Sequence, residues 1–190
     1  GGYSVEYGRT TGGVINAVLK SGTNEFKYGA DVYTTPDAFR GDGRDFFDRE
    51  GNRLINRTDD DLSSTSASFY ASGPIIRDKL MFYALYEPRL VESKSSNNAG
   101  NSVSDSKDDT ATWGGKVDWF ISDNHSIEVF GFSDDRADVA DRYDNGALIE
   151  TQTTDLGGTN WAATYTGFFG DNLVLKVLYG ENERNFDGHT

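Results

Sequence analysis

Few residues in this chain have the type and spacing to do chemistry. There is no cysteine, which removes disulfides, thiolate metal sites and cysteine nucleophiles together. Of the two histidines, His125 lies in a short turn and His189 near the chain end. Neither has a nucleophile or metal partner nearby in sequence, so solvated side chains are expected and no catalytic set is visible. Asp134, Asp135, Asp138, Asp141 and Asp144 form an acidic run whose hard oxygens suit Ca²⁺. The calcium-loop pattern fails at Tyr143 and Gln152, so an EF-hand is rejected. Asp138, Asp141 and Asp144 remain weak calcium candidates beside the simpler reading of a solvated acidic loop. Arg40-Gly41-Asp42 spells an adhesion tripeptide, of a kind that arises by chance in a loop rich in Gly, Asp and Arg. Glu6 and Arg9 are the only charges of residues 1–11. No enzyme activity and no cofactor are expected.

The totals narrow the partners. The net charge is -13, with 31 acidic against 18 basic residues. Nucleic acid is therefore disfavoured, because phosphate contacts need clusters of Lys and Arg. Apolar residues make up 36% of the chain and the mean hydropathy is -0.61, so no stretch matches the about 20 apolar residues of a membrane helix. The longest apolar run, Leu80 to Tyr86, is of strand length. Twenty-two glycines, 10 tyrosines and 12 phenylalanines lean towards β structure. The chain shows no start methionine and no signal peptide, and it is read as an internal piece of a longer protein.

Seven segments alternate in the manner of strands: Phe26 to Thr34, Ser64 to Ile75, Leu80 to Val91, Thr110 to Ile121, His125 to Asp134, Thr159 to Phe169, and Leu173 to about Asn182. The fifth is the least regular. Ile127 and Val129 share one parity, Phe130 and Phe132 the other, which a bulge or an aromatic-lined interior would each explain. Each segment runs about ten residues, which suits strands that cross a bilayer at a tilt.

Connections alternate between long and short. Residues 37–63, 92–109 and 135–158 are long and polar; those near 74–79, 122–124 and 170–172 are tight. Charges within the strands (Lys27, Asp31, Glu87, Lys116, Asp118, Glu128, Lys176) fall opposite the Ala/Val/Trp/Leu face. Aromatic pairs crowd the short-turn ends: Phe26 and Tyr28, Phe82 and Tyr83, Trp119 and Phe120, Phe168 and Phe169. These are signatures of a transmembrane antiparallel β-barrel with an interfacial girdle. A soluble sandwich also alternates, but has no reason to keep every second connection long.

The stretch EYGRTTGGVINAVLKSGTNEF, Glu6 to Phe26, resembles the end of the plug domain of TonB-dependent outer-membrane receptors, more narrowly the Oar-like branch. GPIIRDKLMFYALYE, Gly73 to Glu87, is similar to that branch's second periplasmic turn and third strand. Leu19 departs from the polar residue more usual at its position. The resemblance implies a barrel of 22 strands, of which this chain supplies about seven, with residues 1–24 the end of the plug and 25–190 the first barrel strands. It places 37–63, 92–109 and 135–158 outside the cell and the short turns in the periplasm. In such a plugged barrel Glu6 and Arg9 are expected to pair with each other or with lumen charges such as Lys27, Asp31 or Lys116, the alternative being a surface pair worth about 0–1 kcal/mol.

The expected partners are outer-membrane lipid, a TonB-type energy-coupling protein in the periplasm and an unknown extracellular ligand. The function it implies is TonB-dependent uptake through a plugged barrel. The alternative is a surface adhesin or secretion-associated barrel without active import.

Overall fold

The computed structural model describes residues 20–96 and 102–190; Glu6, Arg9 and most of the plug-like stretch lie outside them. One 11-stranded antiparallel sheet dominates. Its lower part is a meander of seven neighbours: β1 (Lys27–Thr35), β4 (Asp61–Ile76), β5 (Leu80–Ser96), β7 (Ala111–Ser122), β8 (His125–Ser133), β11 (Thr159–Phe169) and β12 (Leu173–Asn182). These match the seven segments read from the alternation.

The described residues of the long connections are more ordered than their polar composition suggests. Between β1 and β4 sit a 3-10 turn (Asp37–Phe39) and a small hairpin of β2 (Phe46–Phe47) and β3 (Arg53–Ile55). The other two connections extend the sheet upwards. β6 (Ser102–Asp108) pairs with the upper half of β5, followed in order by β9 (Arg136–Asp144), β10 (Ala147–Gly157) and β13 (Asn185–His189). The β9–β10 hairpin turns on Asn145 and Gly146, at φ 49° and 81°. An Asn-Gly pair is the sequence that favours such left-handed turn positions.

Upper and lower sheets meet at a waist where β6/β7, β8/β9, β10/β11 and β12/β13 all break, at 109–110, 134–135, 158 and 183–184. Side chains satisfy the freed backbone there. Asp108 Oδ1 accepts from Thr110 N at 3.2 Å and from its hydroxyl at 2.6 Å. Asp134 Oδ1 accepts from Gly158 N at 3.2 Å, and Asn160 Oδ1 from Glu183 N at 3.0 Å and from Asn182 Nδ2.

Register assigns every side chain to a face. Ala67, Phe69, Ala84, Tyr86, Trp113, Val117, Trp119, Val129, Trp161, Ala163, Val177 and Tyr179 share one face. The other, called inner here, carries Lys27, Asp31, Ser72, Tyr83, Glu87, Lys116, Asp118, Glu128 and Lys176. The apolar face is exposed and the polar face enclosed: Ser72, Lys116 and Asp118 are buried, whereas Phe69, Trp113, Trp119 and Val129 are exposed. Among the described residues Tyr83 is the one buried hydrophobic side chain. The described residues form no two-layer core of the kind a sandwich requires. The described sheet does not close: β1 and the β12/β13 pair are its edges.

One open alternative is resolved and one sequence expectation changes. Register through Ile127 to Phe132 is unbroken on both sides of β8, so no bulge lies there and Phe130 and Phe132 face inwards. The aromatic pairs at the short turns cannot all form a girdle either, because successive residues point to opposite faces. Phe26, Tyr28, Phe82, Trp119 and Phe169 lie on the apolar face; Tyr83, Phe120 and Phe168 lie on the inner one.

Candidate functional site at the junction turn and inner face

The turn Ser21 to Asn24 crosses the inner face near the short-turn end, and each residue has a distinct fixing point. Ser21 Oγ accepts from Lys116 Nζ at 2.9 Å. Gly22 packs so closely on the Phe82 backbone that a Cβ would overlap it. Thr23 Oγ1 donates to Glu25 O at 3.1 Å. Asn24 Nδ2 donates to Asp78 Oδ1 at 2.6 Å, and Asp78 N returns a bond to Asn24 Oδ1 at 2.8 Å. Asp78 sits at φ 62° in the β4–β5 turn, a conformation that Asp tolerates better than most residues. The two stretches that carry the resemblance therefore touch in space. Phe26 then lays its ring over Gly73 on the opposite face.

Lys116 is the centre of the inner face. Its Nζ lies 2.7 Å from Glu128 Oε2 and 3.4 Å from Asp118 Oδ1, with only 7% of the side chain exposed. A buried ammonium requires such partners, because removing it from water costs several kcal/mol. Asp118 Oδ2 is buried without a hydrogen-bond partner. Beside this cluster Tyr83 stacks on Tyr70 at 6.4 Å. Lys27 and Asp31 are on the same face along β1, but exposed and without ion pairs among the described residues. Of the inner-face charges named with the plug, only Lys116 meets the junction turn.

The histidine and acidic-run expectations are refined. His125 is not free in solvent: its Nδ1 is 2.7 Å from Tyr165 Oη, and its ring stacks on Tyr165 and meets Phe169 edge-on at 5.2 Å. His189 Nδ1 lies 3.9 Å from Asp155. Asp138, Asp141 and Asp144 belong to strand β9 rather than a loop, and the period of two places Asp141 on the face opposite the other two. Asp138 accepts from Ser106 Oγ at 2.6 Å and Asp141 from Thr151 Oγ1 at 2.6 Å. Among the described residues no three metal-type ligands converge.

Sequence reasoning missed a second aromatic row, at the waist end of the apolar face. Phe69, Tyr86 and Trp113 are cross-strand partners in turn. Trp113 and Trp161 flank Gly131, and Trp161 meets Tyr179 edge-on at 5.6 Å. The signal was present, since these residues share parity with the apolar stripe. From Trp161 to Phe169 the strand rises about 27 Å, or about 20 Å in height at a ~40° tilt, near the ~25 Å apolar band of a membrane barrel.

In the hairpin above β1, Asp45 organises the loop. Its Oδ1 accepts from Arg57 N at 2.7 Å, Thr58 N at 3.0 Å and Thr58 Oγ1 at 2.9 Å, and its Oδ2 pairs with Arg53 at 3.3 Å. These bonds, the Arg57 backbone bond foremost, lower its pKa to about 2. Asp48 is lowered too, chiefly by the Asn52 side chain.

In an alignment of 141 positions that covers 69% of the chain, it is 31% identical to the TonB-dependent transporter Oar of Myxococcus xanthus. The chain is an Oar-like sequence. It spans 13% of the length of that transporter. No protein-family model matches, and no solved structure matches significantly. The Oar-like identity agrees with the all-β antiparallel sheet.

Proposed function

We propose that this chain forms part of the wall of a plugged outer-membrane β-barrel that takes up a ligand in a TonB-dependent manner. The carrying observation is the inverted burial: exposed apolar side chains between two aromatic rows on one face, enclosed Lys116, Asp118 and Ser72 on the other. A lipid-facing wall around a polar lumen has this distribution. The open edges β1 and β12/β13 would leave backbone groups unpaired in hydrocarbon, so further strands complete the barrel, 22 in all by resemblance.

On this reading residues 1–24 end the plug and 25–190 begin the barrel wall. The tight turns at 77–79, 123–124 and 170–172 face the periplasm. The hairpins beyond the waist stand outside the cell and capture the ligand. A TonB-type coupling protein displaces the plug, whose last turn rests on Lys116 and Asp78.

Fractionation of cells carrying the full-length protein tests the placement. Recovery in the outer membrane, released only by detergent, is expected; recovery in the soluble periplasm overturns it. Uptake that ceases when the coupling protein is deleted supports import. A barrel that binds at the surface yet shows no such dependence is a static one.

A further inference from the structure

A cavity of about 630 Å³ lies on the inner face at the waist. Its walls carry three guanidinium groups, Arg89, Arg136 and Arg184, with the rings of Phe132 and Phe186 and the buried amide of Asn160. Register explains the convergence. Phe132, Asn160 and Asn182 are successive partners across β8, β11 and β12, while Arg136, Leu156 and Phe186 are successive partners across β9, β10 and β13. Arg184 sits in the break between those two rows.

The charges there are unevenly matched. Arg89 is paired with the buried Asp108 at 2.9 Å, yet its Nε is buried without a hydrogen-bond partner. Arg136 and Arg184 have no carboxylate at ion-pair distance among the described residues. The cavity wall also carries two carboxylates, each held by a neutral donor and still charged. Asp134 accepts from Gly158 N, and Glu183 accepts from Asn185 Nδ2 at 3.3 Å. Arg136 and Arg184 are exposed and solvated in the free state, so an entering anion would exchange water for their paired guanidinium donors.

We propose that this waist cavity binds the oxyanion of a ligand with an apolar body, held by Arg136 and Arg184 and completed at Arg89, with Phe132 and Phe186 against the body. A planar guanidinium offers paired donors that match a carboxylate or phosphate, and the volume suits a small ligand. The cavity itself is read from the sheet; that it opens into a barrel lumen rests on the function proposed above.

The test is calorimetric titration of detergent-purified full-length protein with phenyl phosphate and with benzoate, using benzyl alcohol as the uncharged control. Saturable binding of at least one anion is expected, with none by the alcohol; the tighter anion identifies the oxyanion. Arg136→Gln and Arg184→Gln should each weaken it about tenfold or more, the worth of a charge-assisted pair. Arg136→Lys keeps charge without the planar fork and should retain part of the affinity.

Arg142, paired with Glu150 at 3.0 Å on the same strand as Arg136, lies outside the cavity wall, so Arg142→Gln should change nothing. No saturable anion binding, equal binding of the alcohol, unaffected Gln variants, or equal weakening by Arg142→Gln would each overturn the site. Membrane recovery of the same preparations is scored separately. Its loss would count against the barrel, and lost binding with recovery intact only against the oxyanion site.

Discussion

Asn24 and Asp78, 54 residues apart in sequence, exchange two hydrogen bonds across the foot of the sheet, at 2.6 and 2.8 Å. The pair clamps the turn that precedes β1 to the β4–β5 reversal, and it is exposed, so water competes for both bonds. Asn24→Ala is expected to lower stability by about 0.5–1.5 kcal/mol, the net value of ordinary hydrogen bonds. Asp78→Gly should behave similarly, since glycine accepts the φ of 62° but cannot return the bond. Thermal melts of the full-length protein in detergent, with limited proteolysis at the turn, check both. Unchanged melts and unchanged cleavage would show that the clamp carries no weight.

Lys116 presents a harsher case. Removing the ammonium by Lys116→Met leaves the buried Asp118 carboxylate without its cation, beside a half-exposed Glu128 and with Ser21 unbonded. Breaking a buried pair from one side costs about 3–5 kcal/mol. The triple variant Lys116→Met, Asp118→Asn, Glu128→Gln removes the stranded charge and should recover much of that loss. Urea unfolding in lipid vesicles measures both variants. A triple variant no more stable than the single one would show that packing, rather than charge, governs the site.

The contrast between β7 and β9 shows what was legible in the sequence. In β7 the Ala111, Trp113, Gly115, Val117, Trp119 series alternates with Thr112, Gly114, Lys116 and Asp118, so span and facing could both be read. β9, Arg136–Asp144, carries charges on both faces, and no apolar stripe announces it. Its turn at Asn145-Gly146 did offer a hairpin signal. The candidate site divides in the same way. Lys116 was legible as an inner-face charge, but its bond to Ser21 depends on where the chain before β1 crosses the sheet. Arg89, Arg136 and Arg184 are 47 and 48 residues apart in sequence, and only the common register of five strands brings them to one cavity.

The apolar face offers a direct probe of the lipid-facing assignment. Val117 lies between Trp113 and Trp119 on that face, four residues from the first and two from the second, opposite Phe82 and Val129. Val117→Arg is expected to destabilise folding into lipid by about 1–3 kcal/mol, between the cost of a midplane cation and that of one near the interface. Thr164→Lys, on the inner face opposite Glu128, should be nearly neutral. Denaturant titrations in vesicles compare the two. Equal costs would remove the distinction between a lipid side and a lumen side.

Acid should open the hairpin above β1 selectively, through Asp45. Its carboxylate accepts from Arg57 and Thr58, and its folded pKa of about 2 lies below the ordinary 3.8. A depressed carboxyl contributes stability that is fully present above the unfolded value and lost as pH falls through the folded one. The loop should therefore hold at neutral pH and loosen between about pH 4 and 2. Asp48, lowered chiefly by Asn52, works in the same direction. Asp45→Asn should already be loosened at pH 7, since an amide cannot accept charge-assisted bonds from Arg57, Thr58 and Arg53 together, and its remaining response to acid should be smaller. Hydrogen exchange at residues 45–58 across that pH range reads the effect. Wild-type protection that stays flat from pH 5 to 2, or a variant indistinguishable from it at pH 7, would show that Asp45 does not hold the hairpin.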